Sequence, residues 1–304
     1  MGKILLLGAS GFVGKHVKNK LEDNNEDFKS LEGKEDLDIR DFDLFNEYLS
    51  KNRFEKIINC AAFVGGIAYG DEYKVELFNT NNSINKNIYE ASARNDIKHI
   101  INPISNCAYP KQYDVYKEEN FWNGEPDESV YSYAMAKRNQ IILSNIYNEK
   151  FSIETSSLIF SNMYGPGDYF DEKRSHALGS IIGKVKKALT KNESDVVLWG
   201  SGKPRREWLY VNDAVEAIYK SIKLDTPHIF TNIGVGKSIS ILDLASLIKK
   251  AFGWKGNFIL NENKKDGVMD KKVDPTRCQE LFNWLPKTEL IEGIKITIES
   301  VKDE

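Results

Sequence analysis

The 304-residue sequence has few cysteines, no long hydrophobic run and no excess of charge of one sign. Its three cysteines, Cys60, Cys107 and Cys278, are far apart and form no Cys-x-x-Cys pair. Their spacing argues against a disulfide framework and a zinc site, and it favours a reduced, cytoplasmic protein. No apolar run approaches the roughly 18 residues of a membrane span. With 42 basic and 45 acidic residues, the composition favours neither a nucleic acid nor a membrane as partner.

Short apolar runs alternate with helical stretches through the first half of the sequence. The first run, about four residues long, leads into a glycine-rich turn and not into a cleavage site, so it predicts a strand and not a secretory signal. Alternating strands and helices are typical of an α/β fold in which helices cover both faces of a parallel sheet. We therefore expect a Rossmann-like, doubly wound sheet. The predicted strands are 4–7, 55–62, 97–103 and 153–160, and the predicted helices are 16–21, 75–95 and 131–149.

The pattern changes after Gly165-Pro166-Gly167. A helix near 176–190 is followed by a short apolar run at 196–199 that predicts a strand. A stretch rich in glycine and proline follows at 200–204. These segments indicate a smaller C-terminal α/β lobe that binds the substrate.

We divide the sequence into two parts on this basis. Residues 1–165 are predicted to form a dinucleotide-binding Rossmann domain, and residues 166–304 mainly form the smaller lobe. The segment 207–234 is expected to contain two returns to the sheet of the first domain. The lysine-rich stretch 264–272 is interpreted as a solvated loop, except for Lys271.

A glycine motif, Gly8-Ala9-Ser10-Gly11-Phe12-Val13-Gly14, joins the first predicted strand to the first helix. In such a turn Gly8 permits the tight bend, Gly11 lets the backbone approach a pyrophosphate, and Gly14 lets the helix pack on the strand. The helix N-terminus offers free N–H groups and a positive dipole to the phosphates. The motif therefore predicts a dinucleotide cofactor bound by the residues of this turn.

Further cofactor contacts are expected near residue 32, where a second strand of the sheet should end, and at the end of the predicted strand 55–62. Glu32 lies about 20 residues beyond the glycine motif, where a carboxylate accepts from a ribose 2′-OH and repels a 2′-phosphate. Glu32 therefore favours NADH, although the nearby Lys34 acts in the opposite direction. Asp38-Ile39 is expected to lie against the adenine, and Ala61-Ala62 against the phosphate and ribose.

Tyr133 and Lys137 are four residues apart in a predicted helix, so their side chains share one face. A lysine ammonium beside a phenol favours the phenolate and lowers the tyrosine pKa from its usual value of about 10. The pair thus predicts a proton donor and acceptor that works near neutral pH. A boundary tyrosine beside a solvated lysine is the structural alternative.

These features together resemble the extended short-chain dehydrogenases/reductases. The resemblance spans nearly the whole chain and includes Ser105 and Asn162-Met163-Tyr164-Gly165-Pro166. Within that superfamily the chain most resembles the GDP-L-fucose synthases, which are 3,5-epimerases/4-reductases of GDP-4-keto-6-deoxymannose. The segments that carry this resemblance are Ala61-Ala62-Phe63-Val64-Gly65-Gly66-Ile67, Ser105-Asn106-Cys107-Ala108-Tyr109-Pro110, His176, and Trp199-Gly200-Ser201-Gly202-Lys203-Pro204-Arg205-Arg206-Glu207.

The resemblance implies roles in a reaction on a 4-keto sugar. Tyr133 protonates the C4 oxygen as hydride arrives from the nicotinamide, Lys137 tunes Tyr133 and holds the nicotinamide ribose, and Ser105 hydrogen-bonds to the same oxygen. A 4-ketone also acidifies the protons at C3 and C5, so a base and an acid on opposite faces invert those carbons. Cys107 is the implied base, with a lowered thiol pKa, and an extended segment would point it the same way as Ser105. His176 is the implied acid.

The resemblance also implies a GDP-sugar as the partner molecule. Arg206 pairs with the diphosphate through its planar guanidinium, and Trp199 stacks on the base or forms a wall beside it. Lys184 and Lys271 match basic positions that contact the substrate in the family.

Three further properties follow from the resemblance. Asn162 is expected to contact the cofactor. The family uses NADPH whereas Glu32 favours NADH, so both forms stay open. A homodimer is expected in which helices 75–95 and 131–149 pair across a two-fold axis.

Three segments depart from the GDP-L-fucose synthase pattern. The family usually has Gly-Ser-Ser-Cys where this chain has Ile104-Ser105-Asn106-Cys107. The segment from Asn120 to Ser129 differs, and Asp270 replaces a residue that is often basic. Because all three lie on the substrate side, a colitose-type 5-epimerase/4-reductase, a 6-deoxyheptose enzyme and a C4-reductase alone remain alternatives.

Other classes agree less well with the sequence. A UDP-sugar 4-epimerase leaves Cys107 and His176 without a role. A dehydratase usually has acidic residues where Asn106 and Cys107 follow Ser105. A non-catalytic dinucleotide-binding protein commonly lacks the tyrosine–lysine pair.

Overall fold

The computed structural model describes residues 2–171, 174–225, 227–263, 266 and 268–302. Its strands are β1 (Ile4–Leu7), β2 (Phe28–Leu31), β3 (Lys56–Asn59), β4 (His99–Ser105), β5 (Val115–Tyr116), β6 (Glu154–Phe160), β7 (Asn162–Tyr164), β8 (Asp195–Trp199), β9 (Arg205–Arg206), β10 (Trp208–Tyr210), β11 (Ile229–Ile233), β12 (Ile239–Ser240), β13 (Asn257–Asn261) and β14 (Asp270–Val273). Its helices are α1 (Phe12–Asp23), α2 (Phe42–Asn52), α3 (Ile67–Glu72), α4 (Lys74–Arg94), α5 (Tyr131–Phe151), α6 (Ala177–Lys191), α7 (Val211–Ile222), α8 (Ile241–Phe252), α9 (Thr276–Phe282) and α10 (Leu290–Lys302).

Six strands form the main sheet in the order β11-β6-β4-β3-β1-β2. All five pairings are parallel, which confirms the predicted parallel sheet. The chain passes from β1 to β2 on one side and then crosses to β3 on the other, so β1 marks the point where the strand order reverses. In open α/β sheets, ligands bind outside the carboxyl ends of the strands at this switch point.

Hydrophobic cores cover both faces of this sheet, as expected for a doubly wound fold. Ile4 and Leu6 of β1 pack into one core with residues of α1 and α7, whereas Leu5 and Leu7 pack into the other with residues of α2 and α4. Side chains alternate across a strand, so a strand covered on both faces is a continuous apolar run. This is why the four-residue run that begins at Ile4 forms a central strand.

The observed bounds differ from the predicted ones where tertiary contacts intervene. β3 ends at Asn59 rather than at 62, because the chain after it approaches the glycine turn. Residues 270–272 of the lysine-rich stretch are not in a loop as predicted, since they belong to β14. β14 pairs with β9 and β5, and this pairing outweighs the low strand propensity of lysine. Residues 264, 265 and 267 of that stretch lie outside the described residues.

The smaller lobe contains short strands and the helices α6 and α8, which pack on each other. β13 pairs with β8, and a four-stranded sheet has the order β12-β9-β14-β5. β5 comes from the N-terminal half of the chain, and β11 joins the main sheet from the C-terminal half. The chain therefore crosses between the two units more than once, and the division at residue 165 stays a prediction.

Three further findings concern the described residues. No helix among them is both long and apolar enough to cross a membrane. They contain no group of three or more His, Cys, Asp or Glu side chains placed to hold a metal ion. Cys60, Cys107 and Cys278 are free thiols.

Candidate active site

The glycine motif forms the turn at the carboxyl end of β1. Gly8 has a φ of +73°, and a Cβ there would lie 2.7 Å from the backbone nitrogen of Ala61, so this position requires glycine. A Cβ on Gly14 would lie 2.0 Å from the carbonyl oxygen of Gly8, so α1 packs directly on the turn. Gly11 precedes α1 and offers no side-chain cap to its N–H groups. The turn therefore fits a dinucleotide, whose pyrophosphate would accept from these N–H groups.

Two carboxylates expected near the adenosine are already paired with cations. Glu32 directly follows β2, and the Ser10 hydroxyl donates to its carbonyl oxygen, so it lies beside the turn. The Glu32 carboxylate accepts from Lys18 Nζ at 2.8 Å. The guanidinium of Arg40 binds the Asp38 carboxylate and lowers its pKa. Lys18 and Arg40 were not predicted, because nothing in the sequence pairs them with these positions.

Tyr133 and Lys137 lie on α5, and Lys137 Nζ is 5.7 Å from the centre of the Tyr133 ring. The ammonium donates to the Pro103 carbonyl and the Gln140 side chain, each at 3.1 Å. Burial lowers the pKa of Lys137 to about 8. Burial also raises the pKa of Tyr133, and the Cys107 thiol adds to this effect. The expectation that Lys137 lowers the pKa of Tyr133 is thus wrong for this structure, because desolvation of the phenol outweighs the distant ammonium.

Ser105 and Cys107 lie at the carboxyl end of β4, the strand beside β3. The chain leaves β4 at Ser105 and forms a 3₁₀ turn over Asn106–Ala108, so the segment is not extended as predicted. The backbone N–H of Cys107 donates to Ser105 Oγ at 3.3 Å. Burial raises the pKa of the Cys107 thiol, although Ser105, Lys271 and Lys137 act in the opposite direction. The predicted lowering of this pKa is therefore wrong for this structure.

His176 is the residue immediately before α6, where its backbone is extended. Its side chain makes no capping hydrogen bond to the helix. His176 is exposed to solvent, yet desolvation by the surrounding protein lowers the pKa of its imidazole.

Arg206 and Lys271, which we call the basic pair, are opposite each other on the parallel strands β9 and β14. The Arg206 guanidinium donates to the Val268 carbonyl at 2.6 Å. Burial lowers the pKa of both side chains, and the charge of Arg206 further lowers the pKa of Lys271. Lys271 is also close enough to Cys107 for its positive charge to favour the Cys107 thiolate. The two cations of the basic pair therefore repel each other, and the charge of one of them, Lys271, acts on Cys107.

Trp199 and Lys184 form a second contact in the smaller lobe. Trp199 ends β8 and is 53% exposed, so it is not a core residue. Lys184 Nζ is 5.5 Å from the centre of the indole ring and donates to the Val197 carbonyl at 3.0 Å. An exposed aromatic face backed by a cation suits stacking of a planar base.

The predicted residues fall into two groups. Ser105, Cys107, Tyr133 and Lys137 meet at the carboxyl end of the main sheet, and the charge of Lys271 reaches Cys107 there. The roles of the other predicted residues stay predictions. Ile39 is buried, Ala61 and Ala62 follow β3, and Asn162 donates from β7 to the Glu207 carbonyl at 3.1 Å.

Comparison with known proteins gives the family. The sequence model described as "NAD dependent epimerase/dehydratase family" matches residues 4–234. The chain belongs to this family. The predicted kinship with extended short-chain dehydrogenases/reductases is thereby confirmed. As a member of the epimerase/dehydratase family, the chain is an NAD(P)-dependent enzyme.

Individual family members match the chain over almost its full length. GDP-L-colitose synthase from Yersinia pseudotuberculosis is 32% identical over 306 residues, covering 99% of this chain and 98% of that protein. GDP-L-fucose synthase from Escherichia coli (strain K12) is 29% identical over 305 residues, covering 97% and 95%. The crystal structure of a GDP-L-fucose synthetase from Naegleria fowleri bound to NADP is 30% identical and superimposes with a TM-score of 0.90, covering 99% and 92%.

Glu207 is a family-motif residue to which the sequence assigned no role. Its buried carboxylate accepts from the backbone N–H groups of Val235, Gly236 and Val273, the last at 2.7 Å. Burial raises its pKa to about 7. The carboxylate ties β14 to the loop after β11 and so holds in place the strands that carry the basic pair. Its position next to Arg206 was the only sequence signal for this role.

Proposed function

We propose that this member of the epimerase/dehydratase family epimerises and then reduces a GDP-linked 4-keto-6-deoxy sugar, with NADPH as the hydride donor. The observation that carries the proposal is the grouping of Tyr133, Lys137 and Cys107 beside Lys271 of the basic pair. The relatives named GDP-L-colitose synthase and GDP-L-fucose synthase support the same class of substrate.

Reduction at C4 is assigned to three residues. Tyr133 protonates the C4 oxygen, Ser105 donates a hydrogen bond to that oxygen, and Lys137 stabilises the negative charge that develops on the phenol. The bound nicotinamide supplies the hydride. Because the pKa of Tyr133 is raised by burial, the phenol is protonated at neutral pH. A protonated phenol is the form that reduction requires.

Epimerisation is assigned to Cys107 and His176. The Cys107 thiolate abstracts a proton from the carbon next to the ketone, and His176 returns a proton on the opposite face. Lys271 and Lys137 favour the thiolate against the effect of burial. The two cations therefore offset part of the effect of burial on this thiol.

Binding of the nucleotide is assigned to the smaller lobe. Arg206 and Lys271 repel each other on neighbouring strands, and a bound diphosphate would relieve this repulsion. Trp199 then stacks on the guanine, with Lys184 against the indole ring.

The cofactor proposed is NADPH, which the NADP-bound relative supports. Glu32 favoured NADH because a free carboxylate repels a 2′-phosphate. In this structure Lys18 Nζ lies 2.8 Å from that carboxylate and offsets its charge. Glu32 is therefore compatible with NADPH as long as it is paired.

Loss of this pairing should change the cofactor preference. In Lys18→Met the unpaired Glu32 carboxylate repels the 2′-phosphate, so the ratio of kcat/KM for NADPH to that for NADH should fall about tenfold. Lys20→Met is the matched control, because Lys20 lies on the same helix and pairs with Glu216 instead. Steady-state kinetics with both cofactors measure the ratio, and an unchanged ratio in Lys18→Met would contradict the proposal.

Product NMR tests the proposed function directly. The protein is incubated with GDP-4-keto-6-deoxymannose and either NADPH or NADH in D₂O. Reduction at C4 together with deuterium at C3 and C5 is the expected result. A product without turnover of either cofactor, or no product at all, would overturn the proposal.

A colitose-type 5-epimerase/4-reductase is the second candidate. The 32% identical relative named GDP-L-colitose synthase favours it, and Ile104, Asn106 and Asp270 depart from the GDP-L-fucose synthase pattern. In this case deuterium is incorporated at C5 and not at C3. The same NMR experiment therefore distinguishes the two candidates.

The two halves of the reaction should respond differently to pH. Lys137, with a pKa of about 8, loses its charge as pH rises, so reduction should slow above pH 8. The pKa of Cys107 is raised, so the thiolate fraction and the rate of deuterium exchange should keep increasing through that range. The pH profiles of NADPH oxidation and of exchange check this. Parallel profiles would contradict it, and Lys137→Met should lack the alkaline decline in reduction.

A homodimer is proposed from the outer face of α4 and α5, which pack on each other. Phe78, Ile142 and Ile146 are exposed on these helices, and the Asn139 amide donates to Asn82 between them. Exposed apolar side chains at helical spacing suit a two-fold interface. Sedimentation as a single 34.7 kDa species would contradict the dimer.

A further inference from the structure

The segment at the start of α3 and the segment before α6 meet at Arg174. The backbone N–H of Gly66 donates to the Arg174 carbonyl at 3.0 Å. The Arg174 guanidinium lies 5.8 Å from the ring centre of Tyr69 and 5.6 Å from that of Tyr169. Arg174 thus bridges an aromatic residue of α3 and one in the loop before α6. We call these three side chains the Tyr69–Arg174–Tyr169 clasp.

The Tyr69 side of the clasp is anchored to α4. The ring of Tyr69 packs against Tyr73 at 4.6 Å and against Phe63 at 5.5 Å. The buried side chain of Asn81 fixes Phe63, since its Oδ1 accepts from the Phe63 N–H at 3.0 Å and its Nδ2 donates to the Phe63 carbonyl at 2.9 Å. α3 also packs on the 3₁₀ turn Glu128–Val130, which immediately precedes the helix of Tyr133. Tyr69 therefore has a fixed position relative to the reducing residues.

The Tyr169 side of the clasp is anchored to α6. A Cβ on Gly179 would lie 2.3 Å from the Tyr169 carbonyl oxygen, and a Cβ on Gly183 would lie 2.1 Å from that of Phe170. The absence of side chains at these two glycines lets α6 pack directly on the backbone of the loop. Tyr169 is thus held against the helix whose first turn follows His176.

We propose that Arg174 is a positioning residue for His176. It lies two residues before His176, and the clasp fixes this short segment between α3 and α6. The role is selective: the clasp supports the proton return proposed for His176 and adds nothing to hydride transfer at C4. This inference rests on the proposed function, because it assumes that His176 acts in epimerisation.

Variants of Arg174 separate positioning from general stability. In Arg174→Ala, deuterium exchange at C5 should fall about 10- to 100-fold, because displacing a reacting group by about 1 Å costs up to 100-fold. Reduction of an already epimerised 4-ketone should stay within about twofold, since Arg174 contacts Gly66, Tyr69 and Tyr169, none of which is assigned to reduction. Arg174→Lys keeps a cation between the rings and should recover exchange to within about threefold of wild type.

Variants of Tyr69, and of Arg94 outside the clasp, serve as controls. Tyr69→Phe keeps the ring and should retain exchange, whereas Tyr69→Ala should reproduce the loss seen in Arg174→Ala. Arg94→Ala removes a similar stacking contact at the C-terminal end of α4, where the guanidinium lies 4.7 Å from the centre of the Phe42 ring, and should affect neither activity.

Each result of the exchange and reduction assays leads to a different conclusion. If wild type reduces the ketone without any exchange, the proposed epimerisation fails and the role of the clasp fails with it. If wild type exchanges and Arg174→Ala exchanges equally well, the clasp alone is refuted. If exchange and reduction fall in parallel in Arg174→Ala, Arg174 supports the whole fold and not His176, which also refutes the inference.

Discussion

Replacing Tyr133 with phenylalanine is expected to lower the rate of ketone reduction by about 10²- to 10⁴-fold, the usual contribution of a general acid. The change removes only the phenol oxygen, so the ring keeps its packing on α5. Because burial raises the pKa of Tyr133, the phenol holds its proton at neutral pH and donates it to the C4 oxygen. Stopped-flow absorbance of NADPH with an already epimerised 4-ketone measures this step.

The same variant should bind the dinucleotide within about twofold of wild type, because the glycine turn and Lys137 remain. Fluorescence titration with NADPH measures this binding. Tyr131→Phe is a matched control, since Tyr131 begins the same helix and its side chain is exposed. Reduction that survives in Tyr133→Phe and falls in Tyr131→Phe would refute the assignment of the acid.

Replacing Cys107 with serine should lower the rate of deuterium exchange at C3 and C5 by about 10²- to 10⁴-fold. Serine has nearly the same shape, but its hydroxyl ionises far less readily than a thiol, even a buried one, and so supplies a much weaker base. The backbone bond from residue 107 to Ser105 Oγ is kept, so the 3₁₀ turn is expected to persist. NMR in D₂O without reducing cofactor isolates the exchange from the later hydride transfer.

Reduction of an already epimerised ketone should change little in Cys107→Ser, because Tyr133, Lys137 and Ser105 are intact. Cys278→Ser serves as the control for loss of a thiol, since Cys278 is buried and its Sγ donates to the Trp284 carbonyl. Exchange that continues in Cys107→Ser would remove Cys107 from the mechanism. A collapse of both activities would instead indicate a structural role for the residue.

The hydrophobic pattern of the sequence predicted the fold well where the burial and the periodicity of apolar residues decide the structure. β1 has the predicted bounds, and β6 begins one residue later than predicted. The strand Asp270–Val273 was missed, because its lysines are typical of solvated segments and only pairing with β9 and β5 makes a strand there. The end of β3 was misplaced for a similar reason, since the approach of Ala61 to Gly8 is a contact between distant segments.

The sequence predicted which residues form the candidate site, but it predicted their pKa shifts and ion pairs less well. The spacing of Tyr133 and Lys137 places them on one helix face, and a contact within one helix can be read from sequence. The pKa directions of Tyr133 and Cys107 were wrong, because burial depends on everything that packs around a side chain. The pairing of Glu32 with Lys18 was missed because the two lie on different elements.

The sequence by itself determined the parallel sheet, the glycine turn, the tyrosine–lysine pair and membership of the epimerase/dehydratase family. Each of these depends on the periodicity of hydrophobic residues or on motifs of residues close together in the chain. Only the tertiary structure decided which charges are neutralised and which thiol and phenol are held away from water. It also decided that Arg174 joins two loops beside His176. These properties depend on contacts between distant segments and on desolvation, which no local pattern contains.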